Sequence, residues 1–178
     1  EERVRLGAAV LAPIYEQDGE AHVVLTRRAS SLRVHSGEVS FPGGRQDSDE
    51  DLQGTARREA QEEIGLDPAT VEIIGELDHL STVTSDSFIV PYVALLPGPP
   101  HDLVANPDEV AAVLHVPLAE LMDPAVYREE RWDIFGTERS MFFFELVGDT
   151  VWGATAAMLR QLLGLATGTV ARGQLRHL

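Results

Sequence analysis

The 178-residue chain is 44% hydrophobic and 24% charged, the balance of a soluble globular protein long enough for a sizeable core. Twenty-nine acids against 14 arginines, with no lysine, give a formal net charge of −15, which repels polyanions and disfavours nucleic acid and anionic membrane as partners. No cysteine is present, which excludes disulfides and thiolate metal sites and suits a reducing cytoplasm, the expected location; neither an apolar run of transmembrane length nor a signal-peptide pattern occurs.

Residues 6–14 are apolar and predict a buried strand, the polar run 15–20 with Asp18-Gly19 a turn, and 21–28 the returning strand. Along that strand Val24, Thr26 and Arg28 share one face, and Val23, Leu25 and Arg27 the other. Short polar residues, Pro42 and three glycines make 29–44 a loop, pinned by Leu32, Val34, Val39 and Phe41. Leu52, Ala56, Ala60 and Ile64 recur every fourth residue and predict a helix, with Asp47, Ser48 and Asp49 as N-cap candidates and Gly65 to end it. Strands over 71–80 and 87–96 follow, Pro91 marking the second as an edge or a bulge. Residues 97–107 carry four prolines and read as a surface loop able to cover a site. A strand at 110–116, a short helix at 117–122, strands at 130–134 and 139–147 and a last helix from Val151 to about Leu165 complete the order, with 167–178 a loose tail. No repeat or linker interrupts the chain, so one domain over 1–178 with its core at about 6–165 is expected.

The chemistry concentrates between Gly44 and Leu66. At about 100° per helical residue, Glu59, Glu62 and Glu63 fall within a sector of about 100° beside the apolar stripe. Three carboxylates on one face repel each other, so they stabilise nothing unless a hard dication sits among them; magnesium prefers such oxygen sites and shares them with substrate phosphates. Arg58 lies one turn before Glu62 and can hold it by a charged hydrogen bond. In so acidic a chain a phosphorylated substrate must be caught by a metal and a few placed arginines.

Read by position, the stretch is Gly44, five residues, Glu50, seven residues, then Arg58-Glu59-Ala60-Gln61-Glu62-Glu63-Ile64-Gly65-Leu66. It resembles the Nudix box, with every fixed position filled and only Ala60 smaller than usual. The resemblance implies an α/β fold of the Nudix type, an α/β/α sandwich with a mixed sheet and with the box helix and C-terminal helix on opposite faces. It also implies magnesium-dependent hydrolysis of a nucleoside diphosphate conjugate, with manganese as a substitute ion. On this reading Glu59, Glu62 and Glu63 are the metal ligands, aided by the Gly44 carbonyl, and Glu50 and Arg58 orient them; Glu109 and Glu120 are further candidates for the base. Upstream, Leu25-Thr26-x-Arg28-Ala29, Arg33, Gly37 and Phe41-Pro42-Gly43-Gly44 resemble a signature of the coenzyme A pyrophosphatases within that family, as does Trp152-Gly153-Ala154-Thr155-Ala156-Ala157-Met158-Leu159 near the end. That likeness implies coenzyme A as the small-molecule substrate, bracketed by Arg28, Arg33, His35, Gly43 and Gly44. Arg28 or Arg33 is expected on phosphate, with Arg27 on the surface. The alternatives are a pyrophosphatase for ADP-ribose, dinucleoside polyphosphates or another conjugate, and a non-catalytic nucleotide sensor, against which the intact carboxylate set argues.

Overall fold

The computed structural model describes residues 7–31, 36–81 and 88–169. Its elements are β1 (Ala8–Gln17), β2 (Glu20–Arg28), β3 (Val39–Ser40), β4 (Gly43–Arg45), α1 (Leu52–Ile64), a 3-10 turn (Pro68–Thr70), β5 (Glu72–Glu76), β6 (Leu80–Ser81), β7 (Phe88–Leu95), β8 (Val110–Pro117), α2 (Leu118–Leu121), β9 (Tyr127–Ile134), β10 (Thr137–Leu146), β11 (Asp149–Trp152) and α3 (Gly153–Thr167). Eight strands form one mixed sheet along β3-β2-β1-β7-β5, with β4 on β1, β6 on β7 and β8 on β2; β9, β10 and β11 form a second, antiparallel sheet. The pair β1–β7 is parallel, and the other pairs of the large sheet are antiparallel.

The expected hairpin forms, turning at Asp18-Gly19, both with positive φ (53° and 81°). Its strands pair directly only from Ile14 against Val23 to Gln17 against Glu20. Beyond that point they diverge into a fork, and the segment read from sequence as a loop fills it. Val39-Ser40 pairs with β2 at Thr26 and Arg27, Gly43-Arg45 pairs with β1 at Ala8–Val10, and the Leu11 N–H donates to the Pro42 carbonyl at 2.8 Å. Strands of two and three residues built around glycines carry no periodic signal, which is why the sequence did not disclose them.

Alternation along the central strands sorts the core into two layers. On one face Ala9, Leu11, Val24, Val90 and Ala94 pack with Ala56, Ala60 and Ile64 of α1. On the other, Ala12, Val23, Leu25 and Val93 pack with Ala156, Met158, Leu159 and Leu162 of α3 and with Phe142, Phe144 and Val151 of the small sheet. The box helix and the C-terminal helix therefore cover opposite faces of a mixed sheet.

Four local expectations are corrected. The α1 N-cap is Asp51, whose Oδ1 accepts from the Gly54 N–H at 2.7 Å, and not one of Asp47, Ser48 or Asp49. Val151 and Trp152 belong to β11, paired with Phe144 and Phe143, so the last helix starts only at Gly153, whose φ of 65° turns the chain out of the strand. β7 is interior rather than an edge, and the strand expected over 71–80 is broken into β5 and β6. Pro91, which has no N–H to give, faces that break, where its carbonyl accepts from Leu77 N–H at 2.9 Å; a bulge sits nearby between Ile73 and Gly75. Finally, Arg27 does more than face solvent. Its Nε and Nη2 donate to the two Asp149 oxygens at 2.7 and 2.6 Å, tying β2 of the large sheet to β11 of the small one.

Asp149 retains only 7% of its side-chain exposure whereas Arg27 keeps 36%, so the aspartate bears most of the cost when the pair is broken. Arg27→Ala and Asp149→Ala are each expected to lower unfolding free energy by about 1–3 kcal/mol, and the double variant by little more than the worse single one. Urea denaturation of the four proteins measures this; additive losses would mean that the pair does not join the sheets.

Candidate functional site

The site begins with how α1 is held at both ends. Asp51 caps its start, and Gly65 ends it in the left-handed region at φ 68°. The proline-bearing loop then covers its C-terminus: Val104 N–H donates to the Ile64 carbonyl at 2.9 Å and Asn106 N–H to the Glu63 carbonyl at 2.8 Å. Both carbonyls lack a partner within the helix, so the loop satisfies groups that burial would otherwise leave costly. Three residues on, the Glu109 carbonyl accepts from Ala29 N–H at 2.8 Å, which fixes Glu109 beside the end of β2.

Carboxylate oxygens of Glu59, Glu63 and Glu109 consequently lie within 4.8 Å of one another. Glu63 is buried, and burial first, then the charges of Glu59 and Glu109, push its carboxyl up to about 8 against the opposing pull of Gly43 N–H and Arg28. Burial also raises Glu59, partly offset by Arg58. Burial and neighbouring charge thus oppose ionisation of Glu59 and Glu63 in this cluster. Its all-oxygen, acidic donor set matches a hard divalent cation and no soft one, so the residues fit magnesium or manganese.

Arg58 organises the adjacent side. Its guanidinium donates to Glu50 at 2.8 and 3.0 Å, to Glu59 at 3.0 Å, to Glu62 at 3.1 Å and to the Arg45 carbonyl at 3.0 Å. Glu50 also accepts from Thr55 Oγ1 at 2.8 Å and Asp47 N–H at 3.0 Å; Arg58 is the main cause holding its carboxyl down to about 2. These bonds set Glu50 and Arg58 beside Glu59 at the edge of the cluster. Glu62 is not brought into it: about 60° round the helix from Glu59, it stays 52% exposed on Arg58.

Gly43 and Gly44 lie under the helix for steric reasons. Gly43 N–H points at Glu63 Oε2, 3.4 Å away. A Cβ on Gly43 would sit 2.3 Å from the Ala9 carbonyl oxygen, and one on Gly44 would sit 2.5 Å from the Glu59 carboxyl carbon. Arg28 is near enough for its charge to act on Glu63, and its N–H donates to the Glu38 carbonyl at 2.8 Å. Arg33 and His35 lie outside the described residues. Glu120, on α2, is not in the cluster. Sequence reading weighed Glu109 only as a base. The available signal was antiparallel pairing: an acid just before a strand that runs against β2 must lie near Arg28.

A mixed sheet between two helices, with a carboxylate-bearing helix seated on a diglycine, defines a Nudix-type hydrolase. The family profile of the NUDIX domain matches residues 5–136, and the chain belongs to that family. It is similar to "Nudix hydrolase 22, chloroplastic" of Arabidopsis thaliana, 40% identical over 164 residues; the match covers 85% of this chain but only 52% of that relative, about half its length. It is also similar to the "Uncharacterized Nudix hydrolase NudL" of Photorhabdus laumondii, 36% identical across 87% of this chain and 82% of the relative. Among solved structures, the fold resembles that of a Nudix hydrolase from M. smegmatis, RenU, at a TM-score of 0.64 and 22% identity over 94% of this chain and 88% of that one.

The two glycines are expected to fail differently. In Gly43→Ala the new carbon meets strand backbone, which cannot withdraw, so a loss of at least about 2 kcal/mol of stability is expected. In Gly44→Ala it meets the far end of a flexible side chain. Unfolding should then change by less than about 1 kcal/mol while magnesium affinity falls about tenfold or more as Glu59 is pushed aside. Denaturation curves and metal titration of both variants decide; equal behaviour would show that Gly44 does not govern Glu59.

Proposed function

We propose that this Nudix hydrolase is a magnesium-dependent pyrophosphohydrolase that cleaves the diphosphate of coenzyme A to 3′,5′-ADP and 4′-phosphopantetheine. The observation that carries the hydrolytic reading is the convergence of Glu59, Glu63 and Glu109 within 4.8 Å beside Gly43 and Gly44. Glu59 and Glu63, with the Gly44 carbonyl, would hold the cation beside Glu109, and Glu62 would join by exchanging its contact with Arg58. When bound, magnesium or manganese screens the diphosphate charge and acidifies the attacking water.

The chain's own groups supply the rest. Water adds across one phosphoanhydride bond: its oxygen bonds to one phosphorus, the bridging P–O bond breaks, and the leaving phosphate takes that electron pair. We assign the water's proton to Glu109, which is exposed and has no ion-pair partner among the described residues. Arg58 and Glu50 keep Glu59 oriented. Arg28 is proposed on substrate phosphate, and Arg33 and His35 remain with it as proposed substrate contacts.

The narrower choice of coenzyme A rests on the upstream signature. It is supported by a cavity of about 480 Å3 on the α3 side, whose lining includes Val39, Leu80, Ile89, Met141 and Phe142. The cavity adjoins Glu38, the backbone partner of Arg28. A largely apolar lining suits a pantetheine arm better than the second sugar of ADP-ribose or of a dinucleoside polyphosphate.

Three measurements test this. The kcat/KM for coenzyme A should exceed that for ADP-ribose by about tenfold or more, equivalent to about 1.4 kcal/mol; parity or reversal removes the coenzyme A assignment and leaves the hydrolase. Arg28→Ala should lower kcat/KM by roughly 10–100-fold while Arg27→Ala, once folded, leaves it nearly unchanged. Glu63→Gln should keep the fold, cost at least about 100-fold in turnover and abolish the thermal stabilisation given by magnesium; retained stabilisation would remove Glu63 from the metal site.

A further inference from the structure

At the opposite end of β2 from Arg28, three of the chain's six histidines line one surface hollow of about 360 Å3, together with Tyr15, Gln17, Pro99 and Pro100. With about 3.3 Å per strand residue, His22 lies about 20 Å from Arg28, well away from the carboxylate cluster. His22 pairs across the hairpin with Tyr15, and His115 on β8 pairs with Val24, two residues along the same face from His22. The two imidazoles are therefore strand-borne neighbours, while His101 comes from the proline-bearing loop.

Both strand-borne rings are held in one orientation. Tyr15 stacks on His22 with centroids 5.1 Å apart and meets His115 edge-on at 5.7 Å. His22 Nδ1 lies 3.1 Å from the Glu20 carbonyl oxygen, so it is the protonated nitrogen donating there. His115 Nδ1 lies 2.8 Å from the Tyr15 hydroxyl. In each ring Nε2 is left without a protein partner among the described residues. A ring fixed through Nδ1 to a carbonyl or hydroxyl, presenting Nε2 outward, is the arrangement that positions histidine for a metal.

We propose that His22 and His115, joined by His101, form a second metal site, separate from the carboxylates and selective for a borderline divalent transition ion such as zinc. An all-imidazole donor set disfavours magnesium, just as the carboxylate set favours it. Only the three glutamates already bring ligand atoms within 4.8 Å of one another among the described residues, so His101 must turn inward to complete the histidine set. The strand pair would supply two of the three ligands.

The test is calorimetric titration of the whole chain with zinc while excess magnesium occupies the carboxylates. One zinc per chain with a dissociation constant at or below the micromolar range is expected. His22→Gln and His115→Gln should each weaken it about tenfold or more, and the double variant should abolish it, with magnesium-supported hydrolysis unchanged. His101→Ala, altering only the loop, should weaken zinc binding without affecting the fold, which keeps the test valid if a strand variant unfolds. Cobalt(II) in place of zinc should give visible absorption bands that disappear in the double variant. Zinc affinity untouched by the histidine changes, or lost instead in Glu59→Gln, overturns the proposal.

Discussion

Everything at the candidate site depends on the fork between β1 and β2. A two-stranded hairpin would normally pair along its length, but here pairing stops at Ile14 and Val23 and a second segment enters. Because that segment pairs on both sides, its backbone groups are satisfied in the interior of the sheet, where a bare loop would leave them unpaired at a cost of about 1–3 kcal/mol each. Its glycines are thereby held where no side chain fits, Gly43 against the backbone of β1 and Gly44 against Glu59 of α1. Helix, sheet and carboxylates meet at one point because the hairpin does not close.

The electrostatics follow from that closeness. Glu63, buried and flanked by Glu59 and Glu109, holds charge poorly, and its basicity rises although Gly43 N–H pulls the other way. Glu50, a few residues before the helix, meets Arg58 and accepts several hydrogen bonds, so its acidity increases. One arginine thus separates acids that support from acids crowded enough to want a cation. A lysine, a single point charge, could not donate to Glu50, Glu59, Glu62 and a carbonyl together in this planar arrangement.

What could be read in the sequence was local. The hairpin, the apolar stripe of α1, the Gly65 stop and the Arg58–Glu62 contact all arise within a few residues and carry periodic or turn signals. The Asp51 cap was missed because Asp47, Ser48 and Asp49 offer the same short polar side chains, and only the bond from the Gly54 N–H singles out Asp51. β11 was absorbed into the last helix because Val151 and Trp152 are apolar and only their partners in β10 show them to be strand. Glu109 joins the cluster through tertiary contacts of the loop before it, which no local pattern encodes. Arg27 was assigned to the surface because Asp149 lies 122 residues away in sequence.

The loop that follows β7 is clamped twice at its far end, at Val104 and Asn106, and then delivers Glu109. Its two halves therefore differ in tolerance to change in length. Residues gained or lost before Val104 can bulge into solvent, since loop entropy grows only slowly with length. A single residue gained between Asn106 and Glu109 falls inside the turn that the Asn106 carbonyl closes with the Glu109 and Val110 N–H groups, and so displaces the carboxylate. Length variation among chains sharing this architecture should therefore gather in the first half of the loop, with a spacing rule in the second as strict as that within the helix itself.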